Sequence, residues 1–212
     1  MRGIVILGGD APSLKLLKKY ITDDTIIIAA DSGGDCLYRY NILPTYLVGD
    51  LDSISQEALE FFMEGININV YPREKDETDG HIAVELALKS NCSEIYIFGA
   101  IGERMDHVLA NIGLLKIILE FGVKGYIVDE NNLIFLMKES GEIEYKKDKR
   151  LSFTAFGDTV KGLSIIGAKY PLESYDLKFG DSRTVSNEFL DKNVTVKFSS
   201  GTLLVMITFD KK

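Results

Sequence analysis

Six short, largely apolar runs alternate with longer stretches of helical period along the first part of the chain, and this alternation restricts the possible fold more than any other feature. The runs are Ile4 to Leu7, Thr25 to Ala30, Tyr46 to Gly49, Ile66 to Tyr71, Ile95 to Phe98 and Tyr126 to Val128. Strands buried on both faces need such continuous apolar character, so the pattern predicts a Rossmann-like parallel sheet with helices on both faces. The clearest helix runs from about Met105 to Phe121. There Val108, Ile112, Leu115 and Leu119 form an apolar stripe and Gly122 is placed to stop it. A second starts near Thr78, whose hydroxyl suits an N-cap, and continues through Ile82, Ala83, Leu86 and Ala87.

The character changes at about Glu139. The charged run Glu142 to Arg150 reads as a solvated hairpin or linker. It is followed by short alternating segments at Leu151 to Phe156, Leu163 to Ile166, Tyr175 to Phe179, Val194 to Phe198 and Leu203 to Phe209. Gly, Asp, Asn and Ser punctuate them, as in an antiparallel β-sandwich. The expected organisation is therefore an α/β domain over 1–138 and an all-β domain over 139–212.

With 212 residues, 46% of them hydrophobic, the chain can fill a genuine core. Its 24 Lys and Arg against 32 Asp and Glu give a net charge of −8, which argues against a nucleic-acid polymer as ligand. A small polyphosphate stays compatible, because a metal ion inverts the charge of a local site. Cys36 and Cys92 fit neither a zinc knuckle nor a disulfide framework and read as reduced core thiols. The apolar stretch Ile4 to Leu7 is too short for a secretory signal, and no run reaches membrane-spanning length, so the expectation is a soluble, cytoplasmic protein with no membrane partner.

In open α/β sheets the ligand crevice lies beyond the carboxyl ends of the strands. Here those ends are acidic: Asp31 and Asp35 after the second run, Asp50 and Asp52 after the third, Asp76 and Asp79 after the fourth, Glu103 and Asp106 after the fifth. If the chain stays extended, Asp50 and Asp52 point to one side and share a cation, for which an all-carboxylate set suits Mg²⁺. The alternative is that Asp50 to Ser53 caps a helix beginning at about Ser55. Asp79 is equally placed to complement a helix dipole, and Arg104 with Asp106 fits either a phosphate and metal site or a surface ion pair. His81 and His107 read as packing or solvent-facing residues, since neighbours on a helix do not face each other. No nucleophile with an attendant base is evident, which favours direct in-line transfer. A Walker loop is absent, and Gly8-Gly9-Asp10 lacks the dinucleotide spacing.

At these positions the sequence resembles the thiamine pyrophosphokinases. The motifs that carry the resemblance are Ala30-Asp31-Ser32-Gly33-Gly34, Gly49-Asp50-Leu51-Asp52-Ser53-Ile54, Glu74-Lys75-Asp76-Glu77-Thr78-Asp79 and Gly102-Glu103-Arg104-Met105-Asp106-His107, joined later by Lys169-Tyr170-Pro171-Leu172 and Val185-Ser186-Asn187-Glu188-Phe189. The resemblance implies a homodimer whose α/β domain binds ATP and Mg²⁺ and whose β-sandwich helps form a thiamine pocket at the subunit interface. It implies the reaction of ATP with thiamine to give thiamine diphosphate and AMP. By motif position, Asp50, Asp52 and Asp79 would hold the metal with Asp31 in support. Lys75, Thr78 and Arg104 would contact ATP phosphates, Asp106 would lie near the reacting groups, and Ser186 and Asn187 would line the thiamine pocket. The hydroxyl proton passes either to a carboxylate, with Asp79 and Asp106 the candidates, or to a metal-ordered water. The family often has glycine where Glu103 stands, and with no Trp in the chain a Tyr or Phe must serve if the thiamine ring is stacked. Three rivals use the same crevice: pyrophosphoryl transfer to another alcohol such as a hydroxymethylpterin, a hydrolase with Asp50 as nucleophile, and a non-catalytic sensor.

Overall fold

A computed structural model describes residues 1–63, 65–74 and 76–209. The chain divides into two units, Met1–Glu130 and Asn131–Lys212. The division falls ahead of the change in composition at Glu139. The reason is pairing: Asn132–Met137 forms a strand in register with Leu203–Thr208, so this apolar segment belongs to the second unit and the charged run that follows is internal to it.

The first unit holds six parallel strands, β1 (Arg2–Ile6), β2 (Thr25–Ala30), β3 (Tyr46–Gly49), β4 (Asn67–Val70), β5 (Glu94–Phe98) and β6 (Lys124–Val128). Their order is β6-β5-β1-β2-β3-β4. The helices are α1 (Leu14–Leu17), α2 (Gly33–Arg39), α3 (Gln56–Phe62), α4 (Asp79–Lys89) and α5 (Met105–Glu120). From β1 to β4 each step moves one strand outward; the chain then returns past β1 to place β5 on its other side. Right-handed crossovers accordingly put α1 to α3 on one face and α4 with α5 on the other. Central β1 is sealed from both sides, and Ile4, Val5 and Ile6 are fully buried.

The predicted helices form, with adjusted faces. On α5 the deeply buried residues are Leu114, Leu115 and Ile118, so the inward stripe sits about one residue away from the predicted Val108, Ile112, Leu115 and Leu119 line. Met105 and Leu109 at its start are exposed. Thr78 caps α4 as expected, its Oγ1 accepting the His81 N–H at 3.2 Å.

In the second unit, β7 (Asn132–Met137), β9 (Arg150–Ala155), β12 (Asn187–Glu188) and β14 (Leu203–Thr208) pair antiparallel in the order β12-β9-β14-β7. A second antiparallel sheet runs β11-β10-β13-β8, from β8 (Gly141–Ile143), β10 (Val160–Ile166), β11 (Leu172–Leu177) and β13 (Val194–Lys197). Leu151, Phe153, Val205 and Ile207 from one sheet and Leu163, Ile165, Leu177 and Val196 from the other share a single core, which makes the unit a β-sandwich. Cys36 and Cys92 are buried free thiols. Among the described residues, no helix is long and apolar enough to cross a membrane.

Candidate active site

A cleft lies over the carboxyl ends of the strands where their order reverses around β1, and the segments leaving β1 and β5 line part of it. These two exits stay paired beyond the strands: Leu7 N–H donates to the Phe98 carbonyl at 2.8 Å, Gly9 to Gly99 at 2.9 Å and Asp10 to Ile101 at 2.7 Å. The result is a cleft of about 670 Å³, lined by Gly8 to Asp10, the Asp31 turn, Asp50 and Ser53, the start of α4 and the segment from Gly99 to Arg104. The start of α2 lies directly on the end of β1, where a Cβ on Gly33 would fall 2.1 Å from the Ile6 carbonyl oxygen; only glycine fits.

Three predicted residues meet at the cleft. One carboxylate oxygen from each of Asp31, Asp50 and Asp79 lies within 4.8 Å of the others, and all three residues are half-buried. Each is delivered by a specific backbone feature. Asp31 leaves β2 in the left-handed region, at φ 47°, with its N–H donating to the Val48 carbonyl at 2.9 Å. Gly49, at φ 141°, lets the end of β3 pass close to Asp79, whose carboxyl carbon would stand 3.3 Å from a Cβ at that position. Asp79 itself opens α4 behind its Thr78 cap. Like charges gathered so closely repel, and a divalent cation relieves that repulsion; the purely oxygen donor set matches a hard ion such as Mg²⁺.

Asp52 is not among these three. Leu51 adopts φ 60°, so the chain is not extended there and the alternation expected to align Asp50 with Asp52 fails. Asp52 instead lies 3.6 Å from Arg73, both side chains being exposed, and its backbone N–H donates to Asp50 Oδ1 at 3.3 Å. Nor do Asp50 to Ser53 cap the next helix. Ser55 does, accepting the Ala58 N–H at 3.3 Å.

Thr78 and Arg104 line the cleft with the three carboxylates, and Lys75 lies outside the described residues. Arg104 grips Asp106 through two bonds, Nη2 to Oδ2 at 2.7 Å and Nε to Oδ1 at 3.3 Å. That bond, aided by the His107 backbone N–H at 3.0 Å, lowers the Asp106 carboxyl to about 2. A carboxylate so stabilised is a weak proton acceptor.

His107 lines the cleft although the sequence reading gave it no role, and Asn111 does so too, its Nδ2 donating to the Ala100 carbonyl at 2.8 Å. The available signal is helical spacing, since His107 and Asn111 stand four residues apart on α5, whose N-cap is Arg104.

Ser186 and Asn187 lie in the second unit. Ser186 is exposed, at φ 60°, with its N–H bound to Ser152 Oγ at 2.9 Å. Asn187 is buried, and its amide is occupied by backbone: Oδ1 accepts from Tyr170 and Glu188, and Nδ2 donates to the Tyr170 carbonyl. This is the pattern of a pin that fixes two loops together.

Family comparison agrees with this division of the chain. Residues 17–127 match the model of the thiamin pyrophosphokinase catalytic domain, and residues 138–203 match that of the thiamin pyrophosphokinase vitamin B1 binding domain. A thiamine pyrophosphokinase of Bacillus subtilis is 32% identical over 210 residues, covering 97% of this chain and 98% of its own. The crystal structure of thiamine pyrophosphokinase from Bacillus subtilis aligns over 99% of this chain and all of its own, with a TM-score of 0.92 and 29% identity. A thiamin pyrophosphokinase family protein from Enterococcus faecalis aligns over the whole of both chains, with a TM-score of 0.86 and 29% identity. Sequence motifs, both domain matches and the fold thus converge, and the chain belongs to the thiamine pyrophosphokinase family.

Proposed function

We propose that the chain transfers the pyrophosphoryl group of ATP to the hydroxyl of thiamine, releasing thiamine diphosphate and AMP, with Mg²⁺ as resident cation. The observation that carries this reading is the meeting of Asp31, Asp50 and Asp79 at the switch-point cleft of a chain from this family. These three carboxylates would hold the ion, which supplies charge neutralisation to phosphate oxygens when bound. Asp52 and Arg73 stand beside them as an exposed pair.

The other tasks fall to groups of the chain itself. Arg104, oriented by its contact with Asp106, offers a guanidinium to the negative charge that grows on the transferring group. Thr78 Oγ1 accepts the His81 N–H, and its hydroxyl proton can be donated to a phosphate oxygen. The first turn of α4 adds backbone N–H donors at the same place. As the thiamine oxygen bonds to the β-phosphorus, the bond from that phosphorus to the oxygen bridging the α-phosphate breaks and AMP leaves. Asp106 is held in its charged form by Arg104, and the hydroxyl proton has Asp79 or a water molecule as its alternative acceptors.

Acceptor recognition is assigned to the second unit around Ser186, in a cytoplasmic homodimer whose second copy completes the thiamine pocket, with neither a nucleic-acid polymer nor a membrane as partner. The test is to incubate the chain with ATP and Mg²⁺, adding thiamine or a hydroxymethylpterin in parallel, and to resolve the products by chromatography. Thiamine diphosphate and AMP in equal amounts are expected. Inorganic phosphate as product, or AMP formed only with the pterin, overturns the reading.

A further inference from the structure

The segment from Asp50 to Ser55 links β3 to α3 and carries one cleft carboxylate, Asp50, at its start, just before the left-handed turn at Leu51. Its far end is tied to the beginning of α2 at three successive residues. Ser53 donates its backbone N–H, at 3.3 Å, and its hydroxyl to Asp31. Ile54 fills the space over Gly34, where a Cβ would meet its Cδ1 at 2.7 Å. Ser55 donates its N–H, at 3.1 Å, and its hydroxyl to Oδ1 of half-buried Asp35, while its own Oγ caps α3.

These anchors differ in what else they do. Asp31 is one of the three gathered carboxylates, and Gly34 supplies only room. Asp35 lies outside the carboxylate group, does not line the cleft, and commits one oxygen to Ser55 twice over. We infer that Asp35 is a positioning residue: by fixing Ser55 it sets where the Asp50 segment runs, and so the approach of Asp50 to Asp31 and Asp79. The inference rests on the metal-binding reading above, and it concerns how the carboxylate group is kept in place.

The test uses Mn²⁺ as a paramagnetic probe, with binding followed by electron paramagnetic resonance in the absence of nucleotide, so that no turnover is needed. Asp35→Ala is expected to weaken Mn²⁺ binding measurably, with the loss of about ten- to a hundredfold seen for a group bonded directly to a metal ligand as its upper range. Backbone amide exchange at Ser53 and Ser55 rises in the same variant. Asp35→Asn removes the charge but retains Oδ1 as an acceptor, and it keeps most of the wild-type affinity. Equal weakening in both variants would assign the effect to charge alone and overturn the inference, as would unchanged Mn²⁺ binding in a folded Asp35→Ala chain. If the wild-type chain binds no Mn²⁺, the metal reading fails and the positioning role falls with it. Should Asp35→Ala not fold, Ser55→Ala removes one of the two bonds to Asp35 together with the α3 cap, and wild-type binding in that variant overturns the inference equally.

Discussion

Asn187→Ala tests whether this amide holds the fold or a ligand. The side chain is 3% exposed, and its Oδ1 accepts from the Tyr170 N–H at 3.0 Å and the Glu188 N–H at 2.8 Å, while Nδ2 donates to the Tyr170 carbonyl at 2.7 Å. Alanine removes all three bonds. At roughly 0.5–1.5 kcal/mol net for each, the loss comes to about 1.5–4.5 kcal/mol. In a chain of this size each kcal/mol moves the thermal midpoint by about 2–4 °C, so a fall of roughly 3–18 °C is expected by scanning calorimetry. The contrast is Ser186→Ala. The bond of that exposed residue to Ser152 is made by its backbone N–H, which alanine keeps, so the change should leave the midpoint within about 2 °C and raise the KM for thiamine. An Asn187→Ala chain with a wild-type midpoint and a raised thiamine KM would refute the reasoning, because the amide would then serve the ligand and not the Tyr170 loop.

The remaining predictions concern the cleft. Asp50→Asn should abolish AMP formation and Mn²⁺ binding in a folded protein, whereas Asp52→Asn, outside the carboxylate group, should retain measurable Mn²⁺ affinity; equal loss in a binding titration would return Asp52 to the ligand set. Asp106 titrates at about 2 against an ordinary 3.8, because Arg104 and the His107 N–H favour its charged form. The folded value is the lower one, so the contribution of the pair is complete above 3.8 and disappears as the pH falls through about 2. Arg104→Ala should move the Asp106 carboxyl carbon midpoint up toward 3.8 in an NMR titration; an unmoved midpoint would show that the guanidinium is not the cause.

Much of this fold is legible from residue pattern because a doubly covered sheet imposes it on every strand: Thr25 to Ala30 and Tyr46 to Gly49 stand where periodicity puts them. Short antiparallel segments carry less signal. Asn132–Met137 reads as apolar but not as the start of a sandwich, since what recruits it is register with Leu203–Thr208, about 70 residues away. At the site, residue type and place after a strand were enough to point to Asp31, Asp50 and Asp79. Backbone sign was not legible: a positive φ at Leu51, a residue that seldom adopts one, is what parts Asp52 from Asp50. Asn187 illustrates the same limit for polar side chains, because its amide reads alike whether it faces a ligand or the backbone of Tyr170.

The central place of β1 has a consequence for how the molecule is made. One edge of β1 pairs with β2, in the register Arg2 with Thr25, while the other pairs with β5, in the register Arg2 with Glu94. During synthesis that second edge waits through 92 further residues for its neighbour, as the separation of Arg2 and Glu94 shows. Ile4 to Ile6, fully buried in the finished fold, thus stay incompletely covered during elongation until this long-range pairing closes.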